Sequence, residues 1–299
     1  MRTNKGSAVT VGTFDGVHRG HRKILETLVR EAEKRNLEPI VVTFPEPPRN
    51  FFGDKTKLLC TLEKRKELLK KAGIERVEVI DFKDIHMLSP EEFAKRVLAK
   101  RLNCKLFVAS SVFVFGNGRE GNIGTLRALG KEHGFEVIEV GVDMKEGRKV
   151  GSSAIREALA EGDIAKTREL LGYDPTLTGK VIKGKGKGKE MGFPTINIEP
   201  DKGLADLKSG IYAAVLAYGG KEYKGAGYIG TKPTFGSNRM GFEIYIMEKP
   251  PRIAAGERAE IRLVERIRDD RKFGSEQELS EAIAGDVKEI DTWFKKKFP

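Results

Sequence analysis

The chain has 299 residues, enough for two ordinary domains, with 39% hydrophobic and 33% charged residues. That balance excludes a disordered chain, and no apolar run approaches the roughly 20 residues of a spanning helix, so no membrane partner is expected. The net charge of +11 comes from charges mostly interspersed along helices, as in Glu31-Ala32-Glu33-Lys34-Arg35, so a solvated surface with phosphate-binding sites is expected and a nucleic-acid partner is not.

The start, Met1-Arg2-Thr3-Asn4-Lys5-Gly6, lacks the apolar stretch of a secretory signal. Two cysteines, Cys60 and Cys104, without paired spacing argue against a disulfide framework and a zinc ribbon. Both features lead us to expect a cytoplasmic protein.

The first half alternates strand and helix patterns. Ala8 to Val11 reads as a strand, followed by a helix with Ile24, Leu25, Leu28, Val29 and Ala32 on one face. Ile40 to Phe44 is a second strand, residues 61–72 a helix, and Val77 to Ile80 a third strand. Ser89-Pro90-Glu91-Glu92 opens a helix with a serine cap, proline at the first position and an acid at the third. Leu106 to Ala109 is a fourth strand, and a helix near 122–132 leads to a fifth, Glu136 to Val140. Short apolar strands alternating with helices imply a doubly wound, mainly parallel α/β sheet covered on both faces. Ligands of such sheets bind beyond the carboxyl ends of the strands.

The pattern changes after Gly172. Tyr173 to Thr176 reads as a linker, so the expected domains are residues 1–173 and 174–299. Ile211 to Tyr218 and Lys221 to Ile229 flank Gly219-Gly220, a tight-turn dipeptide. Phe242 to Met247 and Ala259 to Val264 are further strands, and an amphipathic helix over about 275–297 carries the only tryptophan, Trp293. Many short strands and one terminal helix predict a small β-barrel with a helical lid.

Two segments carry chemistry. In the first, Gly12-Thr13-Phe14-Asp15-Gly16-Val17-His18-Arg19-Gly20-His21, a glycine-bearing turn joins a strand to a helix start near His18. N–H groups at a helix start favour anions, and imidazoles three residues apart share one helical face. Gly20 between them leaves room for phosphate to approach the backbone. Surface histidines beside a tight turn, or half of a metal site, are the alternatives. The second segment, residues 183–197, begins as a lysine–glycine loop with Gly184, Gly186, Gly188 and Lys189, able to converge N–H groups and charge on phosphate. Read alone, it is equally a flexible basic linker or a nucleic-acid patch.

These residues resemble a known family. His18-Arg19-Gly20-His21 matches the HxGH signature of nucleotidylyltransferases, in the form used by bacterial FAD synthetases. Gly151-Ser152-Ser153-Ala154-Ile155-Arg156 is similar to that superfamily's second signature. Gly192-Phe193-Pro194-Thr195-Ile196-Asn197 resembles the Gly-Phe-Pro-Thr-x-Asn motif of riboflavin kinases. Residues 230–236, Phe242 to Ile246 and Ile267 to Phe273 resemble later elements of the same family in the same order. The chain is thus identified as a member of the bifunctional riboflavin kinase/FAD synthetase family.

The resemblance implies an enzyme with two ATP-dependent reactions on small molecules. Riboflavin is phosphorylated to FMN, and FMN is adenylylated to FAD with release of pyrophosphate. It implies that Gly12, Thr13, Phe14, Asp15, Gly20, Ser152 and Ser153 contact ATP, with His18, His21 and Arg156 neutralising its charge. In the other half Thr195 and Asn197 hold Mg²⁺ and phosphate, Glu243 is the general base, and Arg268 contacts ADP or flavin. Val112 stands where the family carries an acid, and Pro45-Glu46-Pro47 lacks the family's histidine. The alternative is therefore a riboflavin kinase with an impaired or altered adenylyltransferase domain. The sequence leaves a homo-oligomer open.

Overall fold

The structure, a computed structural model, describes residues 5–145, 148–184, 186–231 and 240–297. They fall in two compact units, one within Met1–Leu58 and Leu62–Ser152, the other within Leu59–Thr61 and Ser153–Pro299.

The first unit is a five-stranded parallel sheet. Its strands are β1 (Ser7–Val11), β2 (Glu38–Thr43), β3 (Arg76–Val79), β4 (Cys104–Ser110) and β5 (Glu136–Val140), in the order β3-β2-β1-β4-β5. The order reverses at β1, so the switch point of the sheet lies beside the carboxyl end of the strand that leads into the histidine segment. Successive residues of β1 enter different cores. Ala8 packs with Leu25, Leu28, Val41 and Leu106 on one face, and Val9 with Ile40, Val42 and Phe107 on the other. This two-sided burial is why the central strands β1, β2 and β4 read as mostly apolar runs.

The helices of this unit are α1 (Arg19–Lys34), the one-turn α2 (Pro48–Phe51), α3 (Leu62–Lys71), α4 (Pro90–Glu92) and α5 (Ile123–His133). Leu25, Leu28 and Ala32 form the buried stripe of α1. At α4 the serine cap forms a full capping box: the Glu92 N–H donates to Ser89 Oγ at 3.1 Å, and the Ser89 N–H to Glu92 Oε2 at 3.2 Å. The helix continues as a π-helix over Phe93–Arg101. Two short strands, β6 (Met144–Lys145) and β7 (Arg148–Lys149), pair before the second signature.

Helices α6 (Ser152–Glu161) and α7 (Ile164–Leu171) precede the barrel. Arg168 of α7 ties that helix down, donating to Asp174 Oδ1 at 2.5 Å and to the Val264 carbonyl. The barrel strands are β8 (Thr176–Ile182), β9 (Thr195–Pro200), β10 (Gly210–Tyr218), β11 (Lys221–Thr231), β12 (Met240–Ile246) and β13 (Arg258–Arg268). They close in the order β10-β11-β12-β9-β8-β13 with every pair antiparallel. The reading of residues 173–176 as linker extends one residue too far, because Thr176 already pairs with Arg262.

Alternation divides the barrel wall. Tyr212, Ala214, Leu216, Phe242, Ile244 and Ile261 fill the interior. Ala213, Val215 and Val264 face outward, against Ile290 and Phe294 of the terminal helix α9 (Glu276–Lys297). The helix thus covers part of the outer wall. A single turn, α8 (Lys187–Glu190), lies in the lysine–glycine segment before β9.

Candidate active sites

The histidine turn is built on the ends of β1 and β2. Gly12 still donates to Val42 O at 3.0 Å, and the Thr43 hydroxyl donates to Thr13 O at 2.9 Å. Phe14, Gly16 and Val17 then take left-handed backbone conformations, with φ of 50, 73 and 38°. That conformation is costly for a β-branched residue such as Val17. Burial of Phe14 and Val17 in the core beside α1 holds it in place. Turns of this handedness direct backbone N–H groups into a shared concavity suited to anions.

His18 precedes α1 in an extended conformation and is 5% exposed. The His18 and His21 rings stack, with centroids 3.7 Å apart and planes 19° apart, and Phe14 lies 5.0 Å from His21. Gly20 has a further reason to lack a side chain. A Cβ there would lie 3.2 Å from the His18 ring and 3.4 Å from the Val150 carbonyl oxygen. Asp15 is buried, and its carbonyl accepts the Ser152 hydroxyl at 3.3 Å. The turn therefore meets the start of the second signature. On α6 itself, Arg156 Nη2 donates to Ser153 Oγ at 3.4 Å.

An unexpected member sits behind this turn. Arg65 of α3 is fully buried and donates through Nη1 to Phe44 O at 2.5 Å and to Thr43 Oγ1 at 3.3 Å. Through Thr43 it braces the Thr13 carbonyl. In a Lys- and Glu-rich helix an arginine reads as a solvated residue, so only the tertiary structure reveals it.

The second site lies on the outside of the barrel wall, between that wall and α9. A cavity of 480 Å³ is lined by Gly186, Gly188, Thr195, Asn197 and Glu243 on the barrel side and by Leu279 and Ile283 on α9. Its size is that of a small-molecule pocket, roughly 300–1,000 Å³. Thr195 and Asn197 are two apart on β9 and face the same way. Asn197 Nδ2 approaches Thr195 Oγ1 and the Thr195 carbonyl at 3.4 Å each, and Asn197 is 7% exposed.

Glu243 on β12 pairs directly with Asn197, and Tyr245 with Thr195. The glycines of the preceding loop let it lie down on these residues. A Cβ on Gly184 would overlap the Asn197 amide, and one on Gly188 would overlap the Phe193 carbonyl and reach within 3.6 Å of Thr195 Oγ1. Lys189 is exposed on α8, and its N–H donates to Gly186 O at 2.9 Å. Lys185 and residues 232–236 of the expected glycine–proline turn lie outside the described residues.

Arg268, at the end of β13, lines the same cavity and is paired in two-pronged fashion with Asp286 of α9, at 2.7 and 2.6 Å. It therefore fastens the helix that covers the site. Tyr228 and Asp270 also line the cavity, and sequence reasoning did not single them out. Tyr228 pairs across strands with Glu243, a register that no local signal in the sequence fixes.

Comparison with known proteins follows this division. A family model described as FAD synthetase matches residues 1–154, and one described as riboflavin kinase matches residues 171–294. A bifunctional riboflavin kinase/FMN adenylyltransferase of Escherichia coli K12 is 34% identical over 286 residues, covering 94% of this chain and 91% of that one. The protein of the same description from Buchnera aphidicola of Schizaphis graminum is 32% identical over 300 residues, covering 98% and 96%. A crystal structure described as a macrolide-efflux protein from Streptococcus pneumoniae superposes with a TM-score of 0.87 at 26% identity, covering 99% of this chain and 96% of that one. No helix among the described residues is long and apolar enough to cross a membrane. The chain belongs to the family of bifunctional riboflavin kinase/FMN adenylyltransferases.

Proposed function

We propose that this chain makes FAD from riboflavin in two steps, with the kinase reaction on the barrel and the adenylyl transfer on the parallel sheet. The reading rests on one observation above the others. The register that sets Glu243 opposite Asn197 brings a carboxylate beside glycines in one cavity, while a separate stacked-histidine turn stands at the switch point of the sheet.

In the kinase half the loop at Gly184, Gly186 and Gly188 receives the ATP phosphates, and Lys189 adds charge. Glu243 takes the proton from the ribityl 5′-hydroxyl as the γ-phosphoryl group transfers to it. Thr195 and Asn197 supply hard oxygen donors of the kind Mg²⁺ prefers, and these residues with the ATP phosphates would hold that ion. Bound Mg²⁺ would neutralise charge on the phosphates.

In the transferase half the phosphate of FMN attacks the α-phosphorus of ATP in line and pyrophosphate leaves. No covalent intermediate on the protein is required. Gly12, Thr13, Phe14, Asp15 and Gly20 shape the binding turn. His18 and His21 donate to the triphosphate, and Ser152, Ser153 and Arg156 close on it, so catalysis is positioning and charge neutralisation. The buried thiols of Cys60 and Cys104 fit a reducing, cytoplasmic setting.

A chromatographic time course with purified protein, riboflavin, ATP and magnesium tests this. FMN should appear first and FAD should follow from it. FMN that accumulates without ever yielding FAD would remove the second reaction and leave a kinase with an impaired transferase half. Val112, half exposed after β4 in the position of the family's acid, would then be the first residue to examine.

A further inference from the structure

Strand register places the polar groups of the kinase site in one line. Asn197 of β9, Glu243 of β12, Tyr228 of β11 and Ile211 of β10 are successive cross-strand partners, and all four line the cavity on the outer barrel wall. Directly opposed side chains on neighbouring strands sit about 5 Å apart at Cβ. The kinase reading puts the phosphates at the Asn197 end of this line. Asn197 lies beneath the glycine loop, and a Cβ on Gly184 would strike it. An in-line transfer puts the acceptor hydroxyl at the carboxylate, on the far side of the phosphorus from its leaving group. The rest of the acceptor molecule must then extend away from Asn197, past Tyr228 towards Ile211 and the apolar side chains of α9.

Tyr228 is prepared for a polar contact there. Its ring lies along the strand over Gly230, where any Cβ would collide with the ring and hydroxyl. Its hydroxyl donates to Asp270 Oδ2 at 2.7 Å. Burial, the Asp270 hydrogen bond and the Glu243 charge all push the phenol above its ordinary range, so it keeps its proton. Tyr228 lines the cavity, and a phenol oxygen that donates its proton to a carboxylate is still an acceptor for a substrate hydroxyl.

We propose that Tyr228, oriented by Asp270, accepts a hydrogen bond from a secondary hydroxyl of the ribityl chain and so selects a polyol-bearing flavin over one with a bare alkyl chain. The inference rests on the kinase reading above. The line of residues orders the acceptor as reacting hydroxyl at Glu243, polyol at Tyr228 and tricyclic ring beyond. Tyr228 is a specificity-determining residue, with no part in the proton transfer.

The test compares riboflavin with a flavin bearing a 5-hydroxypentyl chain, which keeps the ring and the reacting hydroxyl and lacks the others. Tyr228→Phe should lower kcat/KM for riboflavin about three- to tenfold, mostly through KM, and leave the analogue within twofold of wild type. Asp270→Ala, at an exposed position, should show the same selective loss and serves if Tyr228→Phe does not fold. Adenylyl transfer from supplied FMN monitors the integrity of each variant. Equal losses with both flavins, or no loss with riboflavin, overturn the proposal alone. A wild-type protein that phosphorylates neither compound overturns the kinase reading and the proposal with it.

Discussion

Ser152 donates its hydroxyl to the backbone carbonyl of Asp15 at 3.3 Å, although 137 residues separate them. The contact joins the turn that precedes α1 to the start of α6, so the two signatures of the transferase half meet physically. One such hydrogen bond contributes about 1 kcal/mol net, or about fivefold in rate if it is made only when the turn is correctly set. Ser152→Ala should therefore slow FAD formation from FMN about fivefold and leave FMN formation from riboflavin unchanged. Separate assays of the two steps check this, and equal slowing of both would contradict it.

The Arg268–Asp286 pair fastens α9 over the cavity on the barrel wall. Asp286 is almost fully buried and Arg268 is partly exposed, which screens the pair to some degree. Removing the carboxylate strands a guanidinium in a half-buried site, at about 2 kcal/mol. Asp286→Ala should lower the urea midpoint of the barrel unit and raise KM for riboflavin together. An unchanged midpoint would show that α9 is held by its apolar face, through Ile290 and Phe294, alone.

Much of this architecture is legible without coordinates, and the reasons are physical. The central strands β1, β2 and β4 are short, mostly apolar runs because both faces are buried, and the capping box at Ser89 is a local rule that tertiary structure had no cause to override. The long β13 was read only over Ala259 to Val264 because Arg258, Arg266 and Arg268 at its ends resemble surface sequence. Closure of the barrel recruits them, and Arg258 grips Asp201. The candidate site residues were legible as motifs, since each motif is contiguous. Arg65, Tyr228 and Asp270 were not, because each matters only through a partner distant in sequence and set by register or burial.

Asp201 also gives the fold a pH dependence. Burial pushes its carboxyl up, but the Arg258 guanidinium and the Thr178 hydroxyl outweigh that and hold it below its ordinary range. A carboxyl depressed in the folded state stabilises fully above its unfolded pKa, about 3.9, and loses that contribution as pH falls through the folded value. Asp201→Asn should be less stable than wild type by a constant amount near neutral pH, and the two should converge below about pH 4. Thermal melts across that range measure it, and a gap that widens in acid would contradict the assignment.

The proposed function requires two separate polyphosphate sites on one chain, each with its own chemistry. Product analysis of His21→Ala and Glu243→Ala, each supplied with ATP, magnesium and either riboflavin or FMN, tests that claim most directly. His21→Ala should form FMN at the wild-type rate and no FAD, and Glu243→Ala should convert supplied FMN to FAD while leaving riboflavin untouched. Either substitution abolishing both reactions in a protein with wild-type circular dichroism would contradict it.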